Sequence, residues 1–217
     1  YFNFADAADE SALQPGITQH LAHRTGVTDL DGLIIPHDIH VWRGFSASKL
    51  AIVLRDLAWW DGQFHPFTPA AYEDAYLPDC ALIKLTAQNP SGQHVILAAK
   101  AGFNTGHHYH MDIGHFIVNI EGENLLCDPG RGLYSKGYFR EQRFENIFCN
   151  SFGHSVPRID GRLQMPGPKF AQGSLAQGQI VGRGCSCGQK YVEIDIHEVY
   201  GLPELIQARR RLELAEN

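Results

Sequence analysis

Four histidines and one aspartate lie in the twelve positions from Thr105 to Phe116: His107, His108, His110, Asp112 and His115. Imidazole is the commonest metal ligand and titrates near neutrality, so this density points to metal binding, proton transfer or the holding of an anion. The segment runs into Phe116-Ile117-Val118-Asn119-Ile120, which reads as a strand. If residues 108–112 are extended too, His108, His110 and Asp112 share one face at intervals of about 6.6 Å, twice the strand rise. His107 falls off that face and His115 opens the core strand, so both read as structural. Two further features lie downstream: the turn Asp128-Pro129-Gly130, and His154 within Asn150-Ser151-Phe152-Gly153-His154-Ser155. Two imidazoles and a carboxylate form a set that zinc accepts, with a fourth position for water or substrate. A hairpin about Glu121-Gly122-Glu123 carries Asp128 back past His110, and a third strand brings His154. His154 has a competing role as a catalytic imidazole.

The elements that must position these groups divide near residue 80. The first eighty residues read as helical and irregular. Pro15 at a helix start, Ile17, Leu21 and a stop at Gly26 define one short helix. Leu50, Val53, Leu54 and Leu57 repeat at helical spacing from Ser48 to about Trp59 and define a better one. Trp59-Trp60 reads as packing, and 34–36 and 39–42 as short extended pieces. From Ala81 onward the texture is that of strands: 81–87 and 94–99 across a turn-rich linker, 115–120 with 124–127, then 156–159, 180–181, 191–196 and 211–214. Turns at Asp160-Gly161, Pro166-Gly167 and from Gly182 to Gly188 separate the later ones. Many short strands with glycine turns predict a mainly β fold, an antiparallel sandwich. Both ends read as cut, with the last strand only beginning when the chain stops, which suggests a piece of a longer protein.

An apolar fraction of 44% and a charged fraction of 19% are ordinary for a folded chain of 217 residues, so disorder is not expected. No apolar run approaches about 18 residues, so no membrane-spanning helix is expected. A formal charge of -6 argues against general nucleic-acid binding but not against an acidic substrate, because local charge governs that. Arg131, Lys136, Arg140 and Arg143 form one basic cluster and Arg209-Arg210-Arg211 another. Each is either a solvated face or an anion site. Five scattered cysteines make no disulfide scaffold, and Cys185-Ser186-Cys187 without a second pair is a weak metal signal.

Three separated motifs also match a known family in order and spacing. His108-x-His110-x-Asp112-x-Gly114-x-Phe116, then Asn124 to Gly130, then Asn150 to Ser155, resemble the heparinase II/III-like polysaccharide lyases. The stretch 160–164 and the closing residues 200–213 resemble them too; the likeness covers about 103–164 well and the remainder loosely. That family has a helical (α/α) toroid followed by an antiparallel β-sandwich. The resemblance implies that residues 1–80 are the end of a toroid plus a linker, and that 81–217 are a truncated sandwich. It implies His110, Asp128 and His154 as zinc ligands, His108 as the catalytic histidine facing substrate, and Asp112 as the group that fixes the ligand imidazoles. It implies β-elimination on an anionic, uronic-acid polysaccharide such as a glycosaminoglycan or alginate. Just past the Asp128 turn, Arg131 and Lys136 either attract carboxylate or sulfate groups or form a solvated face, and Arg131 and Tyr134 are the candidate substrate-binding residues. A periplasmic or secreted bacterial setting goes with the resemblance, and a cytoplasmic one stays open. The family's toroid tyrosine base has no counterpart here, since Tyr134 and Tyr138 do not fall at its position. An incomplete sandwich leaves a sheet edge open to oligomerisation.

Two other readings compete. His110, Asp112 and His154 with Arg162 also resemble the Fe(II)/2-oxoglutarate oxygenase triad, which uses Asp112 and leaves Asp128 idle. The other is a non-catalytic, metal-stabilised carbohydrate-binding sandwich. A cupin would need a glutamate soon after the H-x-H pair, and none follows.

Overall fold

From Ala75 onward alternating apolar residues build short antiparallel strands, seen in a computed structural model that describes residues 4–7, 14–27, 29–30, 50–63, 72–106, 108–169 and 173–215. In chain order the described elements are helices α1 (Pro15–Thr25) and α2 (Leu50–Trp59), then strands β1 (Ala75–Leu77), β2 (Leu82–Gln88), β3 (His94–Lys100), β4 (Gly102–Phe103), β5 (Phe116–Ile120), β6 (Glu123–Leu126), β7 (Gln177–Ser186), β8 (Gln189–Asp195) and β9 (Arg209–Ala215). They fall into two compact units, Ala8–Ala71 and Tyr72–Asn217, and the second also takes in Phe2–Ala7 from the start of the chain.

In the first unit, Pro15 opens α1 and Gly26, at φ +73°, closes it by donating its N–H to Ala22 O. The N–H groups of Gly16 and Ile17 find their acceptor in α2, at Asp56 Oδ1, 2.7 and 3.1 Å away. Asp56 thus supplies the cap that Gln14 does not. A Cβ on Gly16 would lie 1.8 Å from Asp56 O, so only glycine permits this approach. The helix predicted from the spacing of Leu50, Val53, Leu54 and Leu57 is present, but Leu50, Leu54 and Leu57 are exposed and Asp56 is the buried residue. Its hydrogen-bonding role, not apolar periodicity, sets which face turns inward.

The second unit is an antiparallel β-sandwich. One sheet has the order β1-β2-β3-β5-β6 and the other β4-β7-β8-β9. Inward residues of β2 and β3 (Ile83, Leu85, Leu97, Ala99) share a core with Val192 and Ile194 of β8 and with Ile196, Val199 and Tyr200 beyond it. Burying each large aliphatic side chain contributes about 1.5–3 kcal/mol, and these burials hold the two sheets face to face. Ile113, from the loop between β4 and β5, is fully buried in the same core. A Cβ on Gly178 of β7 would lie 2.2 Å from Ile113 Cγ2, so the glycine makes room for that loop.

Several expected boundaries move. β7 does not turn at Gly182 but continues to Ser186, accommodating its glycines with a register shift between Ile180 and Gly182. The reversal comes at Cys187 and Gly188, both in the left-handed region. Cys185 and Cys187 are exposed, and among the described residues they join no metal-ligating group. Residues 156–159 form no strand; only a bridge between Ile159 and Arg162 closes the Asp160-Gly161 turn. β9 splits the Arg209-Arg210-Arg211 knot by alternation, with Arg210 turned inward to donate to Gly114 O and Ser155 O. The pieces expected at 34–36 and 39–42, and His107, lie outside the described residues. No helix among the described residues is long and apolar enough to cross a membrane.

Candidate metal centre

The loop from 104 to 115 carries the dense histidines, and side chains from later in the chain hold it. Gln164 is buried and clamps Ile113 at both ends: its Oε1 accepts Ile113 N–H at 2.9 Å and its Nε2 donates to Ile113 O at 2.7 Å. Met111 N–H donates to Cys149 O at 2.9 Å, and Ser151 Oγ donates to Met111 O at 2.8 Å. These bonds lay the His110 loop along the segment that leads to His154. A short 3-10 turn, Ser151–Gly153, precedes His154 and is capped by Asn150 Oδ1, which accepts Phe152 N–H. His154 therefore comes from a turn and not from a third strand.

The extended reading of residues 108–112 fails at His108, whose φ is +62°. His108 and His110 still reach a common partner, but Asp112 leaves them. Both its oxygens take Lys100 Nζ, at 2.7 and 2.6 Å, within a buried ion pair. Asp112 therefore does not fix the imidazoles, and it is not available as the iron ligand of the oxygenase reading.

His110, Asp128 and His154 converge, with one ligand atom from each lying within 4.8 Å of the others. Asp128 sits two residues past the end of β6, its Oδ1 accepting Gly130 N–H at 2.8 Å and its Oδ2 lying 3.3 Å from His154 Nδ1. His110 Nδ1 and His154 Nε2 are buried without a hydrogen-bond partner, and His154 Nδ1 meets only the Asp128 carboxylate. Orphaned buried nitrogens facing a carboxylate are costly unless something binds them. A tetrahedral zinc ion with ligands at about 2.0–2.2 Å sets them roughly 3.3–3.6 Å apart, so the donor set fits a metal with modest closure.

His115 also borders this cluster, its Nε2 lying 3.4 Å from Asp128 Oδ2. Its Nδ1 accepts Ser155 N–H at 2.8 Å, which leaves the proton on Nε2. A protonated nitrogen is no ligand, so His115 is a neighbour of the carboxylate only. Burial pushes its pKa down to about 4 against the opposing pull of Asp128, so the ring is neutral near pH 7. Burial pushes the Asp128 carboxyl up, but the His154 contact and charge, Gly130 N–H and His115 outweigh it and hold the carboxyl below its ordinary value.

Asp6, from the start of the chain, is the group that sequence reasoning missed. Its Oδ1 lies 2.7 Å from His110 Nε2 and accepts a short hydrogen bond from Tyr138 Oη. Its Oδ2 lies 3.1 Å from His108 Nδ1, 3.0 Å from Arg143 Nη2 and 3.3 Å from Tyr134 Oη. Burial pushes its carboxyl up, yet the bonds from His110, Tyr138 and Arg143 hold it well below the usual carboxylate range. Arg143, in the basic cluster read as either a solvated face or an anion site, is fully buried and also donates to Tyr109 O and Tyr138 O. Burial, then the Asp6 bond, pushes the Tyr138 hydroxyl far up; burial and the Asp6 charge raise Tyr134. Neither tyrosine offers a phenolate near neutral pH. No local signal in the sequence marks Asp6, because its partners lie more than a hundred residues away.

The other expected site residues lie around this core. His108 is half-exposed at its side chain and stands beside Tyr134 and Phe139. Arg131 is exposed with its guanidinium 5.1 Å over the Tyr134 ring. Lys136 and Arg140 are exposed too.

The second unit is thus a β-sandwich with a His-Asp-His cluster at one loop edge, and a family model identifies the chain. The family described as heparinase II/III-like, C-terminal, matches residues 70–217, and the chain belongs to it. Among solved structures, the heparinase III-BT4657 gene product with methylated lysines matches at TM-score 0.57 and 15% identity, over 99% of this chain and 27% of that one. Heparan sulfate lyase HepC from Pedobacter heparinus matches at TM-score 0.55 and 13% identity, again over 99% and 27%. At these identities the likeness is one of fold. The chain spans about a quarter of the length of these structures (27%). No curated protein sequence matches it.

Proposed function

We propose that this chain is the sandwich portion of a polysaccharide lyase that cleaves uronic-acid glycans by β-elimination. Three observations support that reading: membership of the heparinase II/III-like family, the cluster of His110, Asp128 and His154, and a half-exposed imidazole, His108, beside it. The cluster carries most weight, because nothing else in the described residues accounts for its orphaned nitrogens. His110, Asp128 and His154 would hold zinc, leaving one position open, and the ion would organise the loops that present His108. Residues 1–80 would be the end of a helical toroid, and 81–217 the sandwich. The exposed apolar face of α2 suits a helix that packs in a longer helical array.

In β-elimination a base takes the proton next to the uronate carboxyl, the electron pair forms a carbon–carbon double bond, and the glycosidic oxygen leaves with its bonding electrons and is protonated. Charge developing toward the carboxyl needs donors and cations placed in advance. His108 exchanges a proton at Nε2 with the substrate, since its Nδ1 faces Asp6. Arg131, stacked on Tyr134, offers a guanidinium to a carboxylate or sulfate. The residue that completes the acid–base pair lies outside this sandwich. An anionic polysaccharide, met in the periplasm or after secretion, is the partner this chemistry requires.

The test is zinc analysis of the full-length protein together with ultraviolet absorbance of unsaturated uronate product. Stoichiometric zinc and product from a uronate polymer are expected, with His108→Ala lowering kcat by about 10²–10⁴-fold. Absence of product from every uronate polymer, with zinc bound, would replace the lyase by a metal-stabilised carbohydrate-binding sandwich.

A further inference from the structure

Asp6 belongs to a tight turn, residues 4–7, in which Ala7 N–H donates to Phe4 O at 3.1 Å. This turn lies against both halves of the site. Ala5 N–H reaches Asp128 Oδ2 at 3.2 Å, the Phe4 ring meets His115 edge-on, and the Asp6 carboxylate meets His108 and His110. Ala5 takes φ +56°, a left-handed conformation that alanine adopts at a cost of about 1–2 kcal/mol. Backbone held there aims Ala5 N–H and the Asp6 side chain at two targets at once, which is how strain is used at functional sites.

An ionised carboxylate only accepts hydrogen bonds. Arg143 at 3.0 Å and the tyrosine hydroxyls keep Asp6 ionised, so every imidazole nitrogen that touches it must carry a proton. The consequence differs between the two histidines. His110 meets Asp6 through Nε2, so its lone pair sits on Nδ1, the buried nitrogen that faces the cluster. His108 meets it through Nδ1, so its lone pair sits on Nε2. We propose that Asp6 is the positioning residue that sets opposite tautomers on His108 and His110, aiming one lone pair at the metal and the other at the substrate. This inference rests on the metal-centre reading above and extends it to a residue that touches neither metal nor substrate. Asp6 takes the orienting role that the H-x-H-x-D motif suggested for Asp112.

Long-range nitrogen–proton NMR of the metal-free protein, labelled with ¹⁵N-histidine, reads each tautomer directly. His110 is expected protonated at Nε2 and His108 at Nδ1; His110 protonated at Nδ1 overturns the proposal without any variant. In Asp6→Asn the tautomers mix, and zinc affinity, measured by competition with a chelator, falls about 10–100-fold. Asp6→Glu, which keeps an accepting carboxylate, recovers part of that loss, whereas a merely structural role leaves both variants equally impaired. Unchanged tautomers and unchanged affinity in a folded Asp6→Asn refute the idea. Expected tautomers in a wild-type protein that binds no zinc support Asp6 as positioning residue and defeat the metal reading alone.

Discussion

Asp112 and Asp128 are both aspartates beside histidines, and only their partners tell them apart. Asp112 neutralises Lys100 with both oxygens, while Asp128 presents one oxygen to His154 and to the space shared with His110. On the proposed zinc reading, Asp128→Asn is expected to weaken zinc binding by tenfold or more in a chelator titration while leaving the fold intact. Asp112→Asn keeps the metal but strands a mostly buried ammonium, and costs about 3–5 kcal/mol in urea unfolding. Equal metal loss in both variants would contradict this division. His115 sets a second test in the metal-free protein. Its folded pKa is about 4 against an ordinary value near 6.5, so below pH 6.5 the unfolded state binds a proton that the folded state refuses. Stability present above pH 6.5 is lost as pH falls toward 4, by about 3 kcal/mol from this group. Asp6 and Asp128, both depressed, add losses in the same direction at lower pH. His115→Gln flattens the slope between pH 6.5 and 4, and an unchanged slope would place the effect elsewhere.

At the scale of elements, tight turns and not strands deliver the site. The 3-10 turn before His154 passes so close to Ile147 that a Cβ on Gly153 would lie 2.3 Å from Ile147 O. Gly153→Ala forces the backbone aside, costs about 1–3 kcal/mol and lowers zinc affinity, because His154 follows immediately. Both effects are read by thermal unfolding and chelator competition; full affinity in a destabilised variant would uncouple turn and site. The Ile113 loop shows the same dependence from the other side, seated by Gln164 and by the missing side chain of Gly178. Strand alternation in turn explains the basic runs. It sends Arg210 inward while Arg209 and Arg211 pair with Glu193.

For the whole molecule, the core between the sheets carries the stability and the loops at one edge carry the His110, Asp128 and His154 cluster. Ile194 is fully buried at the centre of that core, so Ile194→Ala costs about 2–5 kcal/mol in urea unfolding without changing zinc stoichiometry. The chain covers 27% of the structures it resembles, and the proposed reaction needs a second catalytic group from outside the sandwich. Residues 1–217 by themselves are therefore expected to bind zinc and to give little or no unsaturated uronate, while the full-length protein gives product. Strong lyase activity of the isolated chain would show that the sandwich holds the complete acid–base pair.

The sequence alone determined the sandwich, the family and the three motif residues that converge, because each depends on short-range pattern. Strand alternation, glycine turns and the spacing of H-x-H, Asp-Pro-Gly and Asn-Ser-Phe-Gly-His are all local. Only the tertiary structure decided which groups serve those residues. It drew Asp6 to His110 across more than a hundred positions, turned Asp112 away to Lys100, buried Arg143 and made Asp56 a helix cap. The physical reason is that a buried polar group takes whichever partner the fold brings within hydrogen-bond reach. Composition and spacing name the group, but they carry no information about that partner.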